Sequence, residues 1–147
     1  MREKGFSLIE LTVVLVIMIA GAALVGPHIS AGRDTSQLKA AARDLASALR
    51  YARGQSLISQ KEVYVSIDLD SNEYQLSTRD KVYKIAEDID ISLVTAQSEQ
   101  TGEGQGNIRF FPDGSSTGGR ITLKGSNDNE WLVDVNWLTG HVQILDE

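Results

Sequence analysis

The chain has 147 residues, a formal net charge of −6 and no cysteine. This length allows one compact domain with its own core. The lack of thiols excludes a cysteine nucleophile, a thiolate metal site and a disulfide framework. From Lys61 onward, seven Lys and Arg residues stand against sixteen Asp and Glu residues. Because phosphate contacts need clustered cations, we expect no nucleic-acid binding by this acidic region.

An apolar run begins close to the N-terminus. No residue from Leu11 to Gly32 carries a formal charge, and as a helix these positions would measure roughly 33 Å, enough to cross a hydrocarbon core of about 30 Å. The run is too long for the apolar core of an ordinary secretory signal. Arg2 and Lys4 precede it, which predicts that the chain after about residue 32 lies on the side of the membrane opposite the cytoplasm. In a bacterium with two membranes, this would be a single-pass inner-membrane protein whose C-terminal domain lies in the periplasm.

Glu10 lies at the edge of this apolar run. A carboxylate is costly to place in a membrane unless a positive group neutralises it. The position therefore predicts a partner cation for Glu10.

The sequence GFSLIE, from Gly5 to Glu10, resembles the processing motif of type IV prepilins and of the pseudopilins of type II secretion. The resemblance implies that a prepilin peptidase removes residues 1–5 by cutting between Gly5 and Phe6, and that Phe6 becomes N-methylated. It also implies that the new α-ammonium group of a neighbouring subunit neutralises Glu10 during assembly. The alternative is an uncleaved single-pass anchor in which Glu10 is accidental.

A second helical pattern follows the apolar run. Leucine, alanine and serine recur at three- to four-residue steps from Leu38 to Ser56, which predicts an amphipathic helix over residues 33–57 that continues the membrane helix. Pro27 is expected to kink or locally melt the rod. Five Lys and Arg residues between Arg33 and Arg53 form a basic stripe, interpreted either as a solvated face or as a contact for lipid headgroups or acidic partners.

After Gln60 the apolar residues recur at every second position instead of every third or fourth. Val63, Val65 and Ile67 alternate with polar residues, and a polar turn at 70–72 leads to a second strand at 74–77, which predicts a hairpin. Further strands are predicted at 82–85, 89–94, 108–111, 120–123, 131–135 and 141–145. The polar, glycine-rich stretch 95–107 predicts an exposed mobile loop or a strand connection, either a partner-binding arm or a tolerated insertion.

These patterns predict an α+β, pilin-like fold with a long N-terminal helix packed on an antiparallel sheet or sandwich head. The chain divides into a leader (1–5), a transmembrane and assembly helix (6–32) and a periplasmic domain (33–147). Within that domain the helix covers 33–57 and the β-rich head covers 61–147.

The segment 110–123 and the following Val133–Val135 and Thr139–Val142 resemble the C-terminal pattern of the H-type (GspH) minor pseudopilins and their FimT pilus relatives. The resemblance implies a structural subunit at or near the tip of a periplasmic pseudopilus that drives export of folded proteins. Its implied partners are other major and minor pseudopilins, the prepilin peptidase, the inner-membrane assembly platform and secreted cargo. The alternatives are a FimT- or FimU-like minor pilin and a membrane-tethered enzyme or ligand-binding module.

Catalytic and metal sites are not expected. Asp68–Asn72 begins like a calcium loop, but Glu73 replaces the required glycine and Arg79 stands where the closing Glu should be. The polar run Asn127–Glu130 is too short for such a loop, and neither His28 nor His141 has a nucleophile at recognisable spacing. We therefore predict no catalytic residue, no metal and no cofactor, and assign the large aromatic side chains to the sheet core: Phe110, Phe111, Trp131 and Trp137.

Overall fold

The structure, a computed structural model, describes residues 7–102 and 104–146, and the side chains in those ranges except 22–34 and 146. Within the described ranges, one long helix, α1 (Leu8–Ser59), precedes nine strands and a short 3₁₀ helix (Gln97–Glu99). The strands are β1 (Val63–Asp68), β2 (Glu73–Leu76), β3 (Val82–Lys84), β4 (Asp90–Thr95), β5 (Gln100–Gly102), β6 (Gln105–Phe110), β7 (Gly119–Lys124), β8 (Glu130–Val135) and β9 (Val142–Asp146).

Helix α1 contains 52 residues and would measure about 78 Å if straight. Its backbone is helical at Pro27 as well, so the predicted local melting does not occur. The helix ends at Gln60, whose φ of 53° places it in the left-handed region that terminates many helices. The helix extends two residues beyond the predicted end. The pattern did not predict these residues, Ile58 and Ser59, because both are exposed and add nothing to the buried period.

The C-terminal half of α1 packs on the head through the predicted stripe of leucine and small residues. Ser56 is fully buried in this stripe, and its hydroxyl donates a hydrogen bond of 2.8 Å to the Arg53 carbonyl, which satisfies the polar group locally. Small side chains let the helix approach the strands closely. Among the helix side chains that the structure describes, the fully buried ones are Leu38, Ala42, Leu45, Ala46, Leu49, Ala52 and Ser56.

Two antiparallel sheets complete the core. Five strands pair in the order β3-β2-β1-β6-β5, and four pair in the order β4-β7-β8-β9. Alternate residues of β1 are buried, as expected for a strand with one face on a core. The predicted α+β architecture, a long helix packed on an antiparallel head, is confirmed, with the head formed by two sheets.

The described residues of the polar stretch 95–107 form a strand connection, the second of the two predicted alternatives. It contains the 3₁₀ helix, β5 and the first half of β6. Asn107 is buried, and its side-chain oxygen accepts a hydrogen bond of 2.6 Å from the Ser66 hydroxyl. Gly106 lies so close to Leu93 that a Cβ there would come within 2.8 Å of Leu93 Cδ2. The second half of β6 lies within the strand predicted at 108–111, whereas its first half escapes periodicity analysis because Gly106 and Asn107 occupy buried positions.

Three of the four aromatic residues assigned to the core are at least partly buried, and Trp137 is not. Phe110 is fully buried and Phe111 and Trp131 are partly buried, whereas Trp137 is exposed at the tip of the turn between β8 and β9. The core assignment of Trp137 is therefore wrong.

Tyr74 is a buried tyrosine at the junction of α1 and the β2–β3 hairpin. Its ring stacks on Tyr83 with centroids 5.1 Å apart and an interplanar angle of 8°. Burial, with the nearby charge of Asp44 and the Tyr83 phenol, raises the pKa of Tyr74 to about 12. A tyrosine in an unfolded chain has a pKa of about 10.

This difference predicts a loss of stability at alkaline pH. The contribution of Tyr74 is fully present below about pH 10 and disappears as the pH rises toward about 12, because the unfolded state releases the phenolic proton first. Denaturant unfolding of wild type and Tyr74→Phe should give parallel pH curves from pH 7 to 9. Above pH 10 only the wild type should show this additional fall, and an equally steep fall in the variant would contradict the assignment.

Candidate assembly surface

The N-terminal end of α1 carries the predicted assembly residue. Glu10 lies in the first turn, and its N–H donates a hydrogen bond of 3.0 Å to the Ser7 carbonyl. Its side chain is exposed, and a carboxylate there interacts favourably with the helix dipole. Gly5 and Phe6 lie outside the described residues, so the predicted processing site stays a prediction.

The surface around Glu10 is apolar and exposed, so it does not pack on the head. Thr12, the one polar residue among the neighbours 11–21, donates its hydroxyl to the Ile9 carbonyl at 2.8 Å and so needs no outside partner. No helical stretch among the described residues is both long and apolar enough to count as a membrane crossing. The exposed large apolar side chains of this surface are Leu8, Ile9, Leu11, Val13, Val14, Leu15, Val16, Ile17, Met18 and Ile19.

The basic stripe of α1 contributes to the attachment of the head. Arg50 donates a hydrogen bond of 3.1 Å from Nη2 to the Val142 carbonyl, and Arg53 donates one of 3.3 Å from Nε to the Gly114 carbonyl. Lys39 Nζ lies 5.1 Å from the centroid of the Trp131 ring, a cation–π contact. These three cations therefore contact the head, a role that neither interpretation of the stripe included.

Gly140 permits this attachment. Gly140 has a φ of +62°, and a Cβ there would lie 2.2 Å from the Gly114 carbonyl oxygen and 2.9 Å from Arg53 Nε. The β8–β9 turn thus rests directly on the 111–114 turn and on α1. No larger residue fits without moving backbone.

We predict that Gly140→Ala destabilises the head by more than about 2 kcal/mol, because both the positive φ and the backbone contact oppose a side chain. The matched control is Gly54→Ala, in the interior of α1, where a Cβ would meet nothing within 4 Å. It should stabilise the protein by about 0.5–1 kcal/mol. Denaturant unfolding measures both, and a neutral Gly140→Ala would contradict the close packing.

Arg109, on β6, is the centre of a charged network that the sequence did not reveal. Its Nε lies 2.9 Å from Glu99 Oε1, and its Nη1 lies 3.0 Å from Glu62 Oε2. The guanidinium also lies 5.2 Å from the Tyr64 ring centroid. Hydrogen bonding to Glu99 raises the pKa of Arg109 above its usual value. The network joins the 3₁₀ helix, β6 and the residues after α1.

Replacing Arg109 with Met should cost about 1.5–3 kcal/mol, because Glu99 is nearly buried and would lose its charged partner. Adding Glu99→Leu should recover part of that loss, since no buried carboxylate then remains. A double-mutant cycle by chemical denaturation measures the coupling. Additive losses from the two single variants would show that the ion pair is not coupled.

The candidate calcium and histidine positions have ordinary surroundings. The Asp68 carboxylate accepts hydrogen bonds of 3.0 Å from the N–H groups of Asp70 and Ser71, and the Ser71 bond is the main cause that lowers the pKa of Asp68. Within 7–102 and 104–146, no three His, Cys, Asp or Glu side chains are grouped to hold a metal. His141 is exposed, and the side chain of His28 lies outside the described set.

Comparison with known proteins identifies the family. Residues 41–140 match the family model described as type II transport protein GspH. The type II secretion system protein H of Xanthomonas campestris pv. campestris is 31% identical over 140 residues, which cover 95% of this chain and 82% of that protein. The chain belongs to the GspH family.

Solved structures share the fold of this GspH-family chain. The minor pseudopilin EpsH from the type 2 secretion system of Vibrio cholerae superimposes with a TM-score of 0.61 at 12% identity, covering 75% of this chain and 97% of that one. The type IV minor pilin FimU of Pseudomonas aeruginosa gives a TM-score of 0.59 at 12% identity, covering 76% and 90% respectively. At these identities the likeness concerns the fold.

Proposed function

We propose that this chain is a minor pseudopilin of the type II secretion system, a structural subunit at or near the tip of a periplasmic pseudopilus that promotes export of folded proteins. The observation that carries the proposal is the GspH-family match across residues 41–140, supported by the 31% identical protein H relative. The role is one of assembly, and we expect no enzymatic activity.

The two halves of α1 differ in exposure, which supports a subunit whose N-terminal helix surface is covered by other molecules. The head begins to bury the helix at Leu38, whereas the apolar side chains from Leu8 to Ile19 lie exposed in the isolated chain. Such a surface needs lipid before assembly and other helices afterwards. We propose that residues 6–32 anchor the protein in the inner membrane in a single pass, with the head in the periplasm, and then pack among other pseudopilins.

Processing and assembly are proposed to be linked through the N-terminus. Cleavage between Gly5 and Phe6 by a prepilin peptidase would create an α-ammonium group on Phe6, which becomes methylated. That cation on one subunit would neutralise Glu10 on a neighbour, where low dielectric strengthens the attraction. The inner-membrane assembly platform would then add the subunit in the register that this pair sets.

The Glu10 proposal is tested by Glu10→Ala and Glu10→Gln in a strain whose chromosomal copy is deleted. Both variants should remain in the membrane fraction, yet crosslinking to other pseudopilins and exoprotein release should fall at least ten-fold because the charge is gone. The control is Glu87→Gln, which changes an exposed acid of the head and should leave both readouts intact. Normal assembly of Glu10→Gln would refute the register role.

Mass analysis of the mature N-terminus should find N-methylated Phe6.

The fold likeness to FimU supports a second candidate, a minor pilin that primes type IV pili. A deletion strain separates the two candidates. Loss of exoprotein release with normal twitching supports the pseudopilin, and loss of twitching with normal release supports the pilin. The curated relative in type II secretion favours the first outcome.

A further inference from the structure

We propose that the open edge of strand β3, with the groove between α1 and the β2–β3 hairpin, binds an extended, acidic segment of a different protein. The segment adds to the five-stranded sheet as a further strand. The region, hereafter the β3 edge site, consists of Tyr51, Arg79 and residues 81–84. The inference goes beyond the proposed function and does not rest on it, because it concerns a surface of the isolated chain.

Strand β3 is the outermost strand of its sheet and pairs with β2 on one side only. At the end of that ladder, the Ile85 N–H donates a hydrogen bond of 2.8 Å to the Asn72 carbonyl. Residues of an antiparallel strand face their partner strand alternately, so Tyr83 bonds β2 as well. The backbone N–H and C=O groups of Val82 and Lys84 therefore point to the open side, where an extended chain can bond them.

A groove lies between this hairpin and the flank of α1. It is formed by two concavities of about 380 and 430 Å³, which are continuous because Asp44, Tyr74 and Tyr83 line both. An extended segment beside β3 would place every second side chain on the groove side. The apolar lining residues include Ala40, Ala41, Ala48, Val82, Ile85 and Ile89.

Cations are concentrated at the β3 edge site, although the head as a whole is acidic. Three of the seven Lys and Arg residues from Lys61 onward line the groove, namely Arg79, Lys81 and Lys84. The described lining residues include one carboxylate, that of Asp44. This local excess of positive charge favours a segment that carries carboxylates.

Two of these cations lie against aromatic rings and not against carboxylates. The Arg79 guanidinium carbon is 4.2 Å from the Tyr51 ring centroid, and its Nη1 donates a hydrogen bond of 3.3 Å to the Tyr83 hydroxyl. Lys81 Nζ is 4.8 Å from the Tyr83 ring centroid. Within the described part of the chain, neither cation forms an ion pair. Both are therefore positioned by tyrosines and keep donors for a carboxylate of the bound segment.

The same charges select against the β3 edge of a second copy. Strand β3 has three residues and is bordered by lysine at position 81 and ended by lysine at position 84. Short edge strands that carry lysine resist pairing with an identical edge, because like charges would face each other. An acidic strand turns this repulsion into attraction, so the occupant we propose is a different protein.

The test measures amide hydrogen exchange of the full-length chain in detergent, with a synthetic peptide of alternating valine and glutamate as the probe. Saturating peptide should slow exchange of the Val82 and Lys84 N–H groups by about ten-fold or more, because each gains a hydrogen bond. A valine–lysine peptide of equal length is the control and should slow neither. Equal protection by the lysine peptide, or binding of the acidic peptide without protection of these amides, would overturn the proposal. Protection that appears without peptide as the chain is concentrated would assign the edge to a second copy, and would overturn it too.

Matched variants test the charge of the site. Arg79→Gln/Lys81→Gln changes two exposed residues and should unfold near the wild-type denaturant midpoint, while affinity for the acidic peptide in calorimetric titration falls by about ten-fold or more. The control Lys61→Gln/Arg120→Gln removes two exposed charges outside the groove and should lower affinity by less than about two-fold. Wild-type affinity of the folded first variant, or an equal loss in the control, would overturn the β3 edge site. Neither result bears on the proposed function, which exoprotein release by a deletion strain tests without any peptide.

Discussion

The packing of one helix stripe against two sheets is the constraint on which the rest of the structure depends. Leu38, Leu45 and Leu49 share one buried core with strands of both sheets, and the alanines between them keep the helix close to the strands. The same helix leaves its first turns exposed. The C-terminal half of α1 is thus packed on the head, whereas the apolar side chains of its first turns stay exposed. This arrangement suits a subunit whose packing is completed by neighbouring subunits.

The junction between helix and head relies on backbone groups as much as on side chains. Arg50 and Arg53 bind carbonyl oxygens in the β9 and 111–114 regions, and Gly140 brings the β8–β9 turn against both α1 and Gly114. Because backbone acceptors do not depend on which side chains the loops carry, this attachment tolerates variation in the loops. The glycine is the position that cannot vary.

The sequence predicted the architecture well because its strongest signals are periodic. The stripe from Leu38 to Ser56 and the alternation in β1 both produced the elements expected of them. Prediction failed where burial is achieved by other means. Asn107 and Glu99 are buried through hydrogen bonds from Ser66 and Arg109, so the polar stretch 95–107 resembled a loop in the sequence. Trp137 was assigned to the core as a large aromatic residue, because composition cannot show that its turn leaves the ring exposed.

The Arg109 network has a consequence for the medium in which the head must remain folded. Exposed ion pairs such as Lys84–Glu73 weaken as dissolved ions accumulate, because charges at the surface are screened over about 8 Å at physiological ionic strength. Glu99 is withdrawn from solvent and is held by Arg109 through two nitrogens, so screening affects that pair much less. A head secured in this way can keep its shape through the changes of salinity that reach a bacterial cell from outside.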